Sequence, residues 1–333
     1  MNKNKNKYKF FWQLLGSATI AALAATATAQ PADAGYPKQG IKIIVPFPAG
    51  GTSDVLARIV GQKLTEAWGQ TVVIDNRPGA NGNIGADLAA KSKPDGYTLL
   101  LMDMGNLTLS PGLYPKLPFS PLTDLAPVTM LAYSPHLLVV SNKLPVKSIT
   151  ELVTYAKANQ NKLNFAAAAG TGSASHLAGL VFAQRNGIDW TYIAYKGGAQ
   201  ALTDLVGGQV DVTLNGMVAT YPHVKSGNIR LLAVSSAKRF SQIPEVPAIA
   251  ETTPGFISGS WQGVMAPTGT PKAIIDKLNA EMTKIVKMPD VRDKLASLGA
   301  EVMLNSPDEF GAWMKSEVAN WSKVIKDANI KIE

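Results

Sequence analysis

The chain has 333 residues, no cysteine and a formal charge of +8. The lack of cysteine excludes a lipid-modified N-terminal cysteine, a disulfide framework, a cysteine nucleophile and a cysteine-ligated metal, so the fold must rest on its core. The four lysines within residues 1–29 carry half of the positive excess, and the remainder is spread along the chain without a dense Lys/Arg block, which argues against nucleic-acid binding.

Lys3, Lys5, Lys7 and Lys9 precede an apolar stretch from Phe10 through Ala25, which ends in Ala27-Thr28-Ala29. A basic start, an apolar middle and a small-residue exit predict a cleaved export signal over residues 1–29, with Ala32-Asp33-Ala34 as a second possible cleavage point. The apolar stretch is shorter than the roughly 20 residues that span a bilayer. No later run is long enough either, so the mature chain should be soluble. Its length, about 300 residues, is enough to bury roughly three quarters of the unfolded surface and to form two domains.

From Ile41 the pattern alternates. Ile41 to Phe47 reads as a buried strand, Asp54 to Ala67 as a helix, Thr71 to Asp75 as a strand, Asn83 to Lys91 as a short helix and Tyr97 to Asp103 as a strand. This order implies a parallel sheet covered on both faces. Pro111, Pro115, Pro118, Pro121 and Pro127 then mark an irregular connection. A second alternation starts at Leu137 to Ser141. It continues through a helix at Ile149 to Ala158, a strand at Asn164 to Ala168 and a helix at Ser175 to Asn186. Trp190 to Tyr195, Val210 to Asn215 and Ile229 to Ser235 follow as strands, separated by helices at Ala199 to Gly207 and Ala219 to Ser226. Pro271, Pro289 and Pro307 each open a helix in the last part. These helices have no sheet of their own and are expected to pack on the first half. Two crossings are therefore expected, near Tyr133 to Ser141 and near Phe256 to Ala266, and together they would make a hinge and a cleft. The expected organisation is a discontinuous first lobe, 36–138 plus 262–333, and a second lobe, 139–261.

The most informative local feature is Pro46-Phe47-Pro48-Ala49-Gly50-Gly51-Thr52-Ser53-Asp54, placed between a strand and a helix. Its glycines let the chain bend and a ligand approach, and Thr52, Ser53 and Asp54 are capping residue types. The first amides of the helix are unpaired and lie at the positive end of its dipole, which suits an anion. Ala169-Gly170-Thr171-Gly172-Ser173 repeats the arrangement in the second half. Two such ends, one per lobe, would face each other beyond the carboxyl ends of their strands. Neither loop matches a nucleotide-binding glycine pattern. His136, His176 and His223 are not spaced as a metal site, and no G-x-S-x-G elbow is present. His176 follows the second loop either as a capping or packing residue or as part of a pocket wall. Asn215, at the carboxyl end of a strand, is a further pocket candidate. No cation stands out near the loops, so backbone amides and water would meet the charge of an anion.

With these blocks in order the sequence resembles the Bug, or TctC-like, family of extracytoplasmic solute receptors of tripartite tricarboxylate transporter systems. The resemblance runs through the first Gly loop with Asp54, Asp75-Asn76-Arg77-Pro78-Gly79-Ala80, and Pro94-Asp95-Gly96-Tyr97. It continues through Gly172-Ser173 with His176-Leu177-Ala178-Gly179, Tyr195-Lys196-Gly197-Gly198-Ala199, Gly208-Gln209-Val210-Asp211 and Trp261-Gln262-Gly263. It implies an α/β, two-lobed periplasmic-binding-protein fold of the Venus-flytrap, type II-like kind, with two crossover segments as the hinge. It also implies a periplasmic, non-catalytic monomer without cofactor or metal. The implied ligand is a small dicarboxylate, tricarboxylate or aromatic acid. The implied ligand-binding residues are Ala49, Gly50, Thr52, Ser53 and Asp54 in one lobe and Ala169, Thr171, Gly172, Ser173, His176 and Asn215 in the other. The partner would be the membrane permease of such a transporter. A periplasmic sensor domain receiving the loaded protein is the alternative, and a periplasmic hydrolase, for which only an oxyanion hole is suggested, is a third reading.

Overall fold

The structure, a computed structural model, describes residues 35–327. The expected export signal and both of its cleavage points lie outside the described residues. Three parallel strands open the fold: β1 (Ile41–Val45), β2 (Val72–Asn76) and β3 (Thr98–Asp103), in the order β2-β1-β3. Helix α1 (Thr52–Trp68) buries Leu56, Ala57, Val60, Gly61 and Leu64, a spacing of three and four that fits one helical face. It stops at Gly69, whose φ of 65° closes the helix in the left-handed conformation. Helix α2 (Asn83–Ala90) leads into β3.

The Pro-rich passage departs from expectation. It is bracketed by a helix, α3 (Met104–Leu113), and a strand, β4 (Leu125–Ser141). Pro111 falls in the last turn of α3, so the one i→i−4 bond that its missing N–H removes lies at the end of the helical ladder. β4 is 17 residues long, begins twelve residues before the expected strand and contains two prolines. The register shifts between Pro127 and Thr129, so a residue without an amide donor meets an irregularity of the ladder.

β4 belongs to both halves of the sheet. Along Leu125 to Pro135 it pairs antiparallel with β9 (Gly259–Pro267), which continues antiparallel to β3. The two-residue β10 (Glu301–Val302) lies on its other edge. Along His136 to Ser141 it pairs instead with β7 (Val212–Gly216) and β8 (Ile229–Val234). β5 (Asn164–Ala167) and β6 (Thr191–Ala194) complete the second half, parallel to β7 in the order β7-β5-β6. Both expected crossings are thus extended strand segments, at His136 in β4 and at the start of β9.

Helices cover both faces of the second half: α4 (Ile149–Ala158), α5 (Ala174–Asn186), α6 (Gly198–Gly207) and α7 (Met217–Lys225). Alternate side chains of β4 point to opposite faces. Leu138 and Val140 pack with Leu152 of α4 and Phe182 of α5, while Leu137 and Val139 pack with Ala201 and Leu205 of α6. The C-terminal helices α8 (Lys272–Lys287), α9 (Pro289–Ser297) and α10 (Pro307–Asp327) join the first half. Leu278, Met282, Leu295, Phe310 and Met314 share a core with Ile43 and Leu100. α10 starts with a reciprocal cap, in which the amide of Glu309 donates to Ser306 Oγ and the amide of Ser306 donates to Glu309.

Candidate ligand-binding site

The carboxyl ends of β3 and β7 lead straight into a helix, those of β1 and β5 reach theirs through the two Gly loops, and these junctions meet where β4 and β9 cross between the halves. A cavity of ≈ 60 Å³ lies there, bounded by residues of both halves. α1 contributes Gly51, Thr52 and Ser53, and α3 contributes Asp103 and Asn106. α5 contributes Ala174 and Ser175, α6 contributes Gly198, and α7 contributes Gly216 after Asn215. β4 adds His136, and β9 adds Ser260 and Gln262. The start of five helices therefore converges on one small space.

Three of these starts, at Gly51, Gly197 and Gly216, have no side-chain cap. Their first amides have no intrahelical partner and sit at positive dipole ends. None of the lining residues is Lys or Arg. Such a site attracts an anion through oriented N–H and O–H groups and resembles the helix-terminus anion sites of other folds. The halves touch closely here. A Cβ at Gly216 would stand 2.7 Å from Thr52 Oγ1, so any larger residue there has to displace the Thr52 hydroxyl. Three hydrogen bonds also cross between the halves near the second Gly loop: Asn81 Nδ2 to Gly172 O at 3.1 Å, the amide of Ala174 to Asn106 Oδ1 at 2.8 Å, and Tyr114 OH to Thr171 O at 3.4 Å.

Of the residues expected from sequence, Thr52, Ser53, Ala169 and Asn215 line the cavity. Asn215 is held by a bond from Nδ2 to Thr220 Oγ1 at 3.0 Å. The other expected residues surround the wall rather than form it. Ala49 and Gly50 are exposed on the outer limb of the first loop. Asp54 is buried and braces that loop, accepting from the Gly50 amide at 2.9 Å, Asn76 Nδ2 at 3.0 Å and both Nε and Nη2 of Arg58. Burial alone would raise its pKa, but the bonds from Arg58, Gly50 and Asn76 hold it below its ordinary value.

In the second loop, Ser173 caps α5 by accepting from the His176 amide at 3.1 Å. Gly172, with φ of 82°, donates its amide to Nδ1 of His176 at 3.0 Å. That bond places the ring proton on Nε2, and burial pushes the ring pKa down to about 4, so His176 is a neutral brace behind the loop. Thr171 and Gly172 turn their carbonyls toward the first half.

Sequence reasoning missed Asp103, Asn106, His136, Ser260 and Gln262. Asp103 ends β3 where the other strands end in loops, so the rule that ligands sit beyond carboxyl ends of strands could have found it. It caps α3 through the Gly105 amide at 2.9 Å and also accepts from the Trp261 amide at 3.3 Å. Burial raises its pKa to about 6 against the lowering effect of Ser260 and these amides. His136 carried no motif. Its Nδ1 lies 3.1 Å from Ser258 Oγ, and burial pushes it down to about 4, so it is neutral near pH 7. A second cavity, of ≈ 230 Å³, lies between α5, α10 and the segment before β9, but its lining is mainly apolar and no set of helix starts points into it. Among the described residues no group of three or more His, Asp or Glu is placed to hold a metal, and no helix is long and apolar enough to cross a membrane.

Comparison with known proteins agrees with this geometry. The model of the tripartite tricarboxylate transporter family receptor, TctC, matches residues 56–330. The structure of the periplasmic binding protein BugD is similar with a TM-score of 0.85 at 35% identity, covering 90% of this chain and 100% of that one. Rpa4515 of R. palustris, solved with adipate, has a TM-score of 0.85 at 37% identity, covering 89% of this chain and 99% of that one. MatC (Rpa3494) from Rhodopseudomonas palustris, solved with bound malate, has a TM-score of 0.82 at 32% identity, covering 87% and 100%.

Proposed function

Because this chain belongs to the tripartite tricarboxylate transporter receptor family, whose members are solute-binding receptors and not enzymes, we propose that it captures a small organic carboxylate in the cavity between its two halves. The observation that carries this is the convergence of α1, α3, α5, α6 and α7 on a buried space lined by no cation. A carboxylate there would receive several charge-assisted hydrogen bonds, each contributing about 1.5–3 kcal/mol. That adipate and malate are the ligands of two similar proteins supports the same class.

The halves act as lobes with the boundaries 36–138 plus 262–333 and 139–261, and they close around the ligand by bending at His136 in β4 and at the start of β9. The closed, loaded form is what a membrane permease of the transporter would recognise. Export by the basic and apolar segment of residues 1–29 places the receptor in the periplasm; N-terminal sequencing of the secreted protein tests this, and a retained Met1 would contradict it.

The capture reading is tested by a thermal-shift screen of dicarboxylates, tricarboxylates and aromatic acids. A ligand at about 100 times its Kd adds roughly 2.7 kcal/mol and raises the melting temperature by several degrees. A response confined to one carboxylate class is expected. No response to any acid from folded protein would contradict the reading.

A further inference from the structure

The cavity combines two opposed chemistries. The helix starts at Gly51, Gly197 and Gly216 offer donors. The wall built from β3 and β9 offers acceptors, Asp103 and Gln262, although the whole space is only ≈ 60 Å³. A carboxylate in a site made for an anion needs a reason, because two like charges confined together repel.

The hydrogen bonds of this wall supply one. Gln262 Nε2 donates to Ser260 Oγ at 2.5 Å, and Ser260 is also the side chain that acts against burial in lowering the Asp103 pKa. With Nε2 engaged by Ser260, Oε1 is left as the free atom of the Gln262 amide. Gln262 is 2% exposed, and its Oε1 has no hydrogen-bond partner in the protein. Asp103 Oδ1 accepts from the amides of Gly105 and Trp261. An ionised carboxylate accepts at about four lone-pair sites, so Asp103 retains acceptor capacity on the cavity side. Two buried acceptors on one wall are matched by a donor on the ligand, and a buried acceptor left without one is costly.

We infer that Asp103 and Gln262 read a hydrogen-bond donor on the ligand, so that the site takes a small carboxylate bearing a hydroxyl or ammonium group and discriminates against its unsubstituted parent. The inference rests on the capture reading and adds the ligand's second functional group to it. The ligand's carboxylate lies toward the helix starts, and its donor lies toward β3 and β9. Discrimination of this kind is strong, because the parent acid leaves both acceptors unpaired. Asp103 and Gln262 are the specificity-determining residues.

The test is isothermal titration of the mature protein with matched acids. The sets are succinate, malate and aspartate; glutarate, 2-hydroxyglutarate and glutamate; and adipate, 2-hydroxyadipate and 2-aminoadipate. In the wild type, the hydroxy or amino member of at least one set should bind about tenfold or more tighter than its parent. The arm that wins says whether the donor is a hydroxyl or an ammonium. Asp103→Asn, of the same size but neutral and presenting a donor, should shrink that ratio to about threefold or less by weakening the donor-bearing acid and strengthening the parent. Gln262→Met should shrink it from the other acceptor, and it carries the test if Asp103→Asn does not fold. Parent acids that bind as tightly as their derivatives, or a ratio that survives both substitutions, would overturn the inference and leave the capture reading standing. Binding of none of these acids to folded protein would overturn the inference, whereas the capture reading falls only if the wider screen of tricarboxylates and aromatic acids is silent as well.

Discussion

Asp54 and Asp103 are buried carboxylates near the same cavity, and their surroundings push them in opposite directions. Asp54 gathers enough donors to stay ionised below its ordinary range, whereas burial wins at Asp103 and lifts it to about 6. Asp54→Ala should therefore cost about 1–3 kcal/mol in chemical denaturation, because the Gly50 amide loses its partner and Asn76 Nδ2 keeps only its bond to Phe47 O. Arg58 is more than half exposed, so its charge adds little to that loss. Ligand affinity should fall as well, because the first Gly loop loses its brace. An unchanged denaturation midpoint would contradict that role.

The histidines set a pH dependence. His136 and His176 sit near 4 in the folded protein, below the ordinary value of 6.5, because burial disfavours their charged form. Between those values the unfolded chain binds more protons than the native one, so stability should fall as pH drops from about 6.5 toward 4. Asp103 has the opposite sign. Its raised pKa makes the native state hold a proton more strongly between about 4 and 6, and it offsets part of the loss. Two histidines against one carboxyl leave a net fall, each histidine contributing up to about 3 kcal/mol. Melting temperatures across this range should show the fall, and His176→Phe should flatten it. A profile that is flat in the wild type would contradict the burial of both rings.

At the level of elements, the sequence was most readable where one period dominated. The apolar faces of α1 and α4 follow helical spacing, and the runs of β1, β3 and β8 are short, apolar and bounded by turn residues. β4 and α3 were not readable, for a shared reason: proline is a strong local breaker, and tertiary pairing overrides it. Pro127 meets a register shift and Pro135 precedes the change of partners, so neither interrupts a ladder that needs its amide. The same logic separates the site residues. Loops rich in glycine advertised Thr52, Ser53 and Ala169, whereas Asp103, Ser260 and Gln262 come together only through the antiparallel pairing of β3 with β9, which no local pattern encodes. Asn106 tests that tertiary layer. It accepts from the Ala174 amide across the halves, so Asn106→Ala should uncap α5 there and loosen closure. We expect ligand affinity to drop about 5- to 50-fold, corresponding to one or two kcal/mol, with the unliganded melting temperature nearly unchanged. Equal losses in both would mean that Asn106 serves the fold rather than closure.

At the scale of the molecule, the apolar clusters of the two halves are joined through β4 and through a small cluster of Leu109, Leu113, Leu177 and Ile325 rather than through a flexible linker. The proposed closure requires β4 and β9 to bend, and the bonds from Asn81, Asn106 and Tyr114 to the second Gly loop can form only when the halves meet. Small-angle scattering should accordingly show a smaller radius of gyration with saturating ligand than without it. The same radius in both states would contradict closure by hinge bending.

The most direct test of capture between the halves is titration of the best carboxylate into the wild type and into Gly216→Leu. The substitution places a side chain where Thr52 and Gly216 now meet at the cavity wall. The account predicts one ligand per chain for the wild type, and no measurable binding by a variant whose circular dichroism and melting temperature remain those of a folded protein. Undiminished binding by that folded variant would place the ligand elsewhere and contradict the account.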